Sequence, residues 1–109
     1  MREKILSYLG FARKAGKLLS GQETCLQSMK KGKLRLLLLT EDLSENTRKK
    51  LISGAEQCGV SYRVYGHSDD IARAVGMRGN AVFGITDENF SNVIIKEIDI
   101  NQSEKEVWP

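Results

Sequence analysis

Four consecutive leucines, Leu36–Leu39, form the longest uninterrupted apolar run of the 109-residue chain, and charged residues lie close on both sides of it. Because successive side chains of a β-strand point to opposite faces, a strand with leucine at every position presents apolar side chains on both faces. Such a strand is typical of a sheet that is covered by helices on both sides. The leucine run therefore predicts an α/β protein.

Helical and extended segments alternate along the rest of the chain. Apolar residues recur at helical spacing in five segments, and short apolar runs at residues 17–20, 34–40, 60–65 and 81–86 separate them. Glycines at positions 16, 32, 59 and 76 follow four of the helical segments, where a left-handed residue commonly ends a helix. The predicted order is α-β-α-β-α-β-α-β-α, which is typical of a three-layer α/β/α sandwich with a mixed four-stranded sheet.

Polar residues predict where the helices begin. Ser20–Glu23 matches the S-x-x-E capping box, in which Ser20 and Glu23 satisfy free backbone N–H groups at the start of the second helix. The residues predicted to cap the three later helices are Ser44, Ser68 and Asp87.

The length of the chain predicts a single domain over residues 1–100, followed by a loose C-terminal tail at residues 101–109. No apolar run approaches the roughly 20 residues of a membrane span, and the charged start is followed by too short an apolar stretch for a signal peptide. Cys25 and Cys58 belong to no C-x-x-C pair and are predicted to be reduced core residues. These features predict a cytoplasmic protein with no membrane partner.

The sequence offers few groups for catalysis. Its one histidine, His67, follows a predicted strand and fits a surface position beside a helix start. No G-x-S-x-G is present, and the glycines of residues 76–84 do not match the phosphate loop G-x-x-x-x-G-K-[ST]. Glu41 and Asp42 lack a third ligand for a metal ion. The sequence therefore predicts a protein that is not an enzyme, with no metal, no cofactor and no small-molecule substrate.

Charge is unevenly distributed along the chain. Residues 1–50 contain twelve Lys and Arg against five Asp and Glu, a net charge of +7, whereas residues 51–109 have a net charge of −4. The cations cluster at residues 13–17, 30–35 and 48–50, and the first two clusters flank the predicted start of the second helix in sequence. This concentration of cations favours a nucleic-acid partner. Since only 6% of the residues are aromatic, structured RNA is favoured over stacked single strands.

Six segments, in one order along the chain, resemble the L7Ae/L30e ribosomal protein family, and within it a bacterial ribosomal-protein-like branch. The segments are Leu9–Gly21, Lys30–Gly32, Leu36–Asp42, Ser44–Thr47, Ile71–Gly76 and Ala81–Asp87, and the likeness covers roughly residues 3–98. The resemblance implies an α/β/α sandwich that binds RNA without catalysis. It further implies a kink-turn as the RNA, which is a bent helix–internal loop–helix with tandem sheared G·A pairs.

The family's recognition motif, G-x-N-E/Q-x-x-K, falls on Gly21–Gln27 of this chain. Gly21 matches the motif, whereas Glu23 stands at the Asn position, Thr24 at the Glu/Gln position and Gln27 at the Lys position. A carboxylate at residue 23 accepts a hydrogen bond from a guanine amino group but has no donor for guanine O6 or N7. Glu23 fits a capping-box role equally well, so the residues alone leave both roles open.

The resemblance also implies RNA contacts outside this motif. The residues of the motif that it assigns to RNA are Gly21, Gln22, Glu23, Thr24 and Gln27. It adds a loop that approaches extruded nucleotides, at Glu41 and Asp42, and the loop before the last strand, at Met77, Arg78, Gly79 and Asn80. A basic rim follows at Arg13, Lys14, Lys17, Lys31 and Lys33. The predicted protein is a monomer, and the alternative function is a protein–protein interaction module on the same fold.

Overall fold

A mixed sheet of four strands organises the protein in the computed structural model, which describes residues 2–107 and the side chains of residues 4–103. Within that range the helices are α1 (Arg2–Lys14), α2 (Gln22–Lys30), α3 (Glu45–Cys58), α4 (Ser68–Val75) and α5 (Glu88–Val107). The strands are β1 (Leu18–Ser20), β2 (Leu36–Leu39), β3 (Ser61–Val64) and β4 (Val82–Ile85). The predicted alternation of helices and strands is confirmed.

The strand order β1-β4-β2-β3 brings the last strand between the first two. Strand β4 runs antiparallel to β1 and β2, while β2 and β3 are parallel, so the prediction of a mixed sheet is confirmed. Leu39 pairs with Val82 at one end of the sheet, and Leu36 pairs with Ile85 at the other. Consequently β1, β2 and β3 finish at the end where β4 begins, and the loops that follow them meet there.

Helices cover both faces of the sheet, as the leucine run requires. Leu36 and Leu38 pack with residues of α1, α4 and α5 in one core cluster, and Leu37 and Leu39 pack with residues of α2 and α3 in a second cluster. All four leucines are fully buried. The three-layer α/β/α sandwich predicted from the sequence is therefore confirmed.

The predicted loose tail at residues 101–109 is wrong for residues 101–107, because α5 continues through Val107. Residues 101–107 contain no glycine or proline, so nothing in them ends a helix. The extension is also held against the outer strand β3. Arg63 Nε donates to Asp99 Oδ1 at 2.8 Å, and Gln102 Nε2 donates to the Val64 carbonyl at 3.0 Å. Residues 108 and 109 lie outside the described residues.

The helix starts agree only partly with the predicted caps. Ser44 accepts a hydrogen bond from the Thr47 N–H, and Asp87 accepts one from the Phe90 N–H, so these two caps are confirmed. For α4 the cap is His67, whose Nδ1 accepts from the Asp69 N–H at 3.3 Å, and Ser68 is already helical.

The capping box at Ser20–Glu23 is wrong. The residue before α2 is Gly21, and no side chain caps this helix. Ser20 still belongs to β1, and its Oγ accepts a hydrogen bond from Asn80 Nδ2 at 2.6 Å. The serine therefore fixes a distant loop instead of its own helix.

The two cysteines occupy different environments, although both are free thiols. Cys25 is buried between α2 and the sheet, and burial raises its pKa to about 12. Cys58 is exposed at the last residue of α3, so the prediction of a core position is wrong for Cys58. Glu56 and Gln57 beside it are exposed as well, and Gly59 ends the helix directly after it, so the buried face of α3 ends at Ala55. Among the described residues, no helix is both long and apolar enough to cross a membrane.

Candidate nucleic-acid interface

Four chain segments are joined by backbone hydrogen bonds at the end of the sheet where β4 begins, which we call the Gly21 end. The Gly21 N–H donates to the Val82 carbonyl at 2.9 Å, and the Thr40 N–H donates to the Ala81 carbonyl at 3.1 Å. The Glu41 N–H donates to the Gly66 carbonyl at 2.7 Å. These bonds tie together the segments that follow β1, β2 and β3 and the segment that precedes β4.

Gly21 has a backbone conformation that other residues rarely adopt. Its φ is 106° and its ψ is 147°, directly before the first residue of α2. A Cβ added there would lie 3.7 Å from Asn80 Oδ1 and 3.9 Å from Thr24 Oγ1, which are ordinary van der Waals contacts, so of the described side chains only these two polar ones adjoin the glycine. Because no side chain caps α2, the N–H groups of its first turn lack a side-chain acceptor. A ligand can therefore approach this stretch of backbone closely.

The loop before β4 is held beside Gly21 by Asn80. Its Nδ2 donates to Ser20 Oγ at 2.6 Å, while its Oδ1 faces the position of a Cβ at Gly21. The family resemblance assigns Asn80 to an RNA-contacting loop, but no sequence pattern predicts its hydrogen bond to Ser20. These two residues are 60 positions apart, and Ser20 matched a local capping motif instead.

Glu41 and Asp42 also lie at the Gly21 end, but they have different surroundings. The Asp42 carboxylate accepts from the Ser68 N–H at 2.9 Å and from Ser68 Oγ at 2.5 Å. The hydroxyl hydrogen bond from Ser68 is the main cause that lowers the Asp42 pKa to about 2. His67 Nε2 lies 3.6 Å from Asp42 Oδ2. Asp42 thus joins the β2–α3 loop to the start of α4, whereas the Glu41 side chain is exposed.

The remaining residues of the loop before β4 lie between α4 and the sheet. Met77 is half-buried and packs against the core cluster of α1, α4 and α5. Arg78 and Gly79 line a cavity of about 740 Å³, which Arg73 of α4 also lines. Arg73 lies outside the sites predicted from the sequence, although it falls within a segment that carried the family resemblance.

The predicted basic rim does not surround the start of α2. Lys31 and Lys33 follow the end of this helix, whose nine residues span roughly 13 Å. Lys17 lies at the opposite end of the sheet, where its carbonyl accepts from the Thr86 N–H at 3.0 Å. We call this opposite end the Thr86 end. The cations that flank the start of α2 in sequence therefore lie apart from it in space, because α2 carries the chain away from it.

Two grooves contain four of the five predicted cations. A groove of about 480 Å³ beside α2 is lined by Thr24 and Gln27 of the helix and by Lys31 and Lys33 beyond its end. Arg13 and Lys14 instead line a groove of about 540 Å³ between α1 and α4. Phe11 lies in the second groove with 54% of its surface exposed.

The structure therefore brings together part of the predicted site. The residues at or beside the Gly21 end are Gly21, Gln22, Glu23, Thr24, Glu41, Asp42, Arg78, Gly79 and Asn80. Those outside it are Arg13, Lys14, Lys17, Lys31 and Lys33, while Gln27 lies between the two groups on α2 and Met77 packs against the core. Within the described side chains, no group of three His, Cys, Asp or Glu converges as a metal site requires.

Comparison with known proteins identifies a family and several relatives. Residues 3–95 match the model of the ribosomal protein L7Ae/L30e/S12e/Gadd45 family. The chain is 32% identical over 91 residues to a Bacillus subtilis protein named RNA-binding protein YlxQ, which covers 84% of this chain and 91% of that protein. It is 30% identical over 90 residues to the Enterococcus faecium protein of the same name, with 83% and 86% coverage.

Solved structures show the same architecture. A Bacillus halodurans protein of unknown function superposes with a TM-score of 0.85 at 32% identity, covering 88% of this chain and 97% of that one. The Giardia lamblia 15.5kD RNA binding protein superposes with a TM-score of 0.75 at 18% identity, covering 91% and 88%. The second likeness establishes the fold alone.

Proposed function

The chain belongs to the ribosomal protein L7Ae/L30e/S12e/Gadd45 family, and we propose that it binds structured RNA, without catalysis, through the Gly21 end of its sheet. The names of two relatives at about 30% identity, both described as RNA-binding proteins, support this proposal. The finer proposal is that the RNA is kink-turn-like. Action as a monomer in the cytoplasm stays a prediction from the sequence.

The observation that carries the proposal is the half-buried backbone at Gly21, which carries no side chain of its own. A glycine with φ of 106° leads into an uncapped helix, and a Cβ at this position would be in ordinary van der Waals contact with Asn80 Oδ1 and Thr24 Oγ1 and would clash with neither. Backbone N–H groups at the start of a helix bind phosphate and other anions well. An unpaired base or a sheared base pair that approaches this backbone meets no side chain from residue 21.

The side chains around Gly21 offer hydrogen bonds of both kinds. The Asn80 Oδ1 accepts, the Thr24 hydroxyl both donates and accepts, and the Glu23 carboxylate accepts. Glu23 is exposed and makes no capping bond, so it is free to accept from a guanine amino group. Sheared G·A pairs expose such groups, which is the chemical reason for preferring a kink-turn to a regular duplex.

A direct test compares two RNAs with the full chain. One RNA contains a kink-turn, and in the other the sheared G·A pairs are replaced by Watson–Crick pairs, so that the duplex is straight. Fluorescence anisotropy should show at least about tenfold tighter binding of the kink-turn, equivalent to one good base contact. Equal affinities would contradict the preference for bent RNA. No binding of either RNA at low salt would contradict RNA binding and favour the protein-interaction alternative.

A further inference from the structure

Two cationic grooves begin at the residues beside Gly21, Thr24 and Asn80, and run along different layers of the molecule. The first, the α2 groove, passes from Thr24 and Gln27 to Lys31, Lys33 and Arg35. It follows α2, on the face of the sheet that α2 and α3 cover. None of the described residues that line this groove is a carboxylate.

The second groove, the α4 groove, is made of two cavities that share Arg73 and Gly76. It begins at Asn80 and Arg78, crosses α4 at Arg73, and ends at Arg13 and Lys14 in the last turn of α1. This route lies on the other face of the sheet, which α1, α4 and α5 cover.

The α4 groove has a floor of small residues where its two helices approach each other. A Cβ added at Gly10 of α1 would lie 3.2 Å from the Ala74 carbonyl oxygen of α4, so the helices pack closely there. Among the described residues that line the two cavities, the one carboxylate is Asp69, in the first turn of α4. Its side chain is 81% exposed.

The cations of both grooves are not paired with any carboxylate that the structure describes. Among the side chains that the structure describes, no salt bridge involves Arg13, Lys14, Arg73 or Arg78 on one side, or Lys31, Lys33 or Arg35 on the other. Their charges are therefore available to external anions. Rows of unpaired cations along a groove suit a phosphate backbone, whose charges repeat at short intervals.

Gly21 lies where the two grooves meet. The nearest atoms to a Cβ at this position belong to Asn80, at the start of the α4 groove, and to Thr24, at the start of the α2 groove. Because the grooves follow opposite faces of the sheet, a straight duplex that lies along one of them does not reach the other. A bent RNA with its internal loop at Gly21 places one arm along each groove.

We propose that each duplex arm of a bent RNA occupies its own groove, one arm along α2 and the other across α4 to the end of α1. This proposal rests on the proposed function and adds to it a second RNA-binding surface, at Arg73, Arg13 and Lys14. The contacts there are to phosphates, so this surface adds affinity and not sequence preference.

The experiment uses three kink-turn RNAs and four proteins. One RNA has two arms of about 10 base pairs, and in each of the others one arm is cut to about 3 base pairs. The proteins are the wild type, the double variants Arg13→Ala/Arg73→Ala and Lys31→Ala/Lys33→Ala, and the control Lys50→Ala. The control removes one exposed cation from α3, which contributes to neither groove wall named above.

Each double variant should bind the long-armed RNA about tenfold more weakly than the wild type, since one phosphate contact accounts for roughly threefold. Cutting one arm should abolish the defect of the first variant only, and cutting the other arm should abolish that of the second only. Lys50→Ala should bind as the wild type does within about twofold.

The outcomes separate this proposal from the proposed function. If the wild type binds none of the RNAs, both fail. If it binds the kink-turn but Arg13→Ala/Arg73→Ala binds the long-armed RNA equally well, the second groove is wrong and the proposed function stands. A defect of that variant that persists whichever arm is cut also overturns the proposal, because the cations then act on the whole RNA and not on one arm. Thermal melting of each variant confirms that it is folded.

Discussion

The two ends of the sheet are built from different kinds of groups. At the Gly21 end, loops are fixed by backbone hydrogen bonds and by Asn80 and Asp42, and carboxylates outnumber the cations close to Gly21. At the Thr86 end, Lys17 and Arg35 are exposed. The Lys17 carbonyl accepts from the Thr86 N–H at 3.0 Å, and the Arg35 N–H donates to the Ile85 carbonyl at 2.8 Å. Ala81 and Thr86 bracket β4 and are roughly 17 Å apart.

The groups suited to recognising the shape of an RNA and the cations suited to attracting its phosphates therefore lie in different regions of the protein. Groups that read bases must be held in fixed positions, whereas cations that attract phosphates need only be near them. The Gly21 end has the fixed geometry, and the cations lie farther along the two grooves. We therefore expect changes at the Gly21 end to alter which RNA is bound, and changes elsewhere to alter how strongly any RNA is bound.

The largest effect is expected from Gly21→Val, which should abolish binding of a kink-turn RNA. The valine side chain would cover the half-buried backbone, and the φ of 106° would impose a strain of about 1–3 kcal/mol on a residue with a Cβ. Gel-shift titration measures the loss of binding. Gly59→Val is the matched control, since Gly59 also has a positive φ, of 69°, with no atom within 4 Å of an added Cβ.

Gly59→Val should lose comparable stability at the end of α3 and still bind RNA. Thermal melting of both variants tests whether each is folded at the temperature of the titration. A folded Gly21→Val protein that binds normally would show that RNA does not approach this backbone. The contrast between ends would then have no functional meaning.

A gain of about tenfold in affinity is expected from the double variant Glu23→Asn/Gln27→Lys. Asparagine both donates and accepts where glutamate only accepts, and lysine adds a cation one turn farther along α2. One good base contact is equivalent to roughly 1–3 kcal/mol of discrimination. Titration against kink-turn and straight RNAs should show the gain for the kink-turn.

The structure also changes the expected stability of this double variant. Because Ser20 and Glu23 form no capping box, replacing Glu23 removes no capping bond. Only the interaction of its charge with the helix dipole is lost, which is about 0.3–1 kcal/mol. The melting temperature should fall by a few degrees at most. Weaker RNA binding by Glu23→Asn alone would show that the glutamate itself contacts the RNA.

A smaller loss, of about threefold for every RNA tested, is expected from Lys33→Ala. This lysine lies beyond the end of α2, away from the bases that the Gly21 end would read. Loss of one phosphate contact should lower the slope of log K against log salt by about one unit. Affinities over a salt series, for bent and straight RNA, provide the measurement. A loss confined to the bent RNA would instead make Lys33 part of the selective surface.

The smallest effect is expected from Asp42→Asn, as a loss of stability that depends on pH. The folded-state pKa of Asp42 is lowered to about 2, against about 3.9 in an unfolded chain. Its ionised form therefore stabilises the fold fully above pH 4, and this contribution disappears as the pH falls through 2. Since the side chain is about one-third exposed, solvent screening leaves a difference of only about 2–4 °C.

Melting curves of the wild type and Asp42→Asn between pH 6 and pH 2 measure this effect. The difference in melting temperature should be largest near pH 6 and should vanish toward pH 2. Ser68→Ala provides a matched change on the partner residue, and it should reproduce part of the loss. A difference that is constant across the whole pH range would mean that Asp42 acts through its shape and not through its charge.

The sequence predicted the layers of this fold well because the signals for them are local or periodic. A strand of four leucines has to be buried on both faces, and glycines such as Gly59 and Gly76 end helices by their left-handed backbone. The antiparallel insertion of β4 between β1 and β2 was predicted only as a mixed sheet, since strand order depends on contacts between distant segments.

The site was less predictable, for the same reason. Ser20–Glu23 fits a capping box in sequence, and only the contact with Asn80, 60 residues away, shows another use for the serine. Cations that flank a helix start in sequence lie at its far end in space, because α2 separates Gly21 from Lys31. Cys58 continues the apolar spacing of Leu51 and Ala55 and is nevertheless exposed, because spacing alone does not determine whether the end of a helix is covered.

The long α5 has a consequence for how copies of this chain behave at high concentration. An outer strand with free backbone groups invites a strand from another molecule, which is a common start of aggregation. Gln102 of α5 donates a hydrogen bond to the carbonyl of Val64 on β3. On the same strand, Arg63 Nη1 donates to the Tyr62 carbonyl at 2.7 Å, and Arg63 Nε and Nη2 donate to the Asp99 carboxylate of α5. The last turns of α5 therefore protect the chain against intermolecular strand addition at an otherwise vulnerable place.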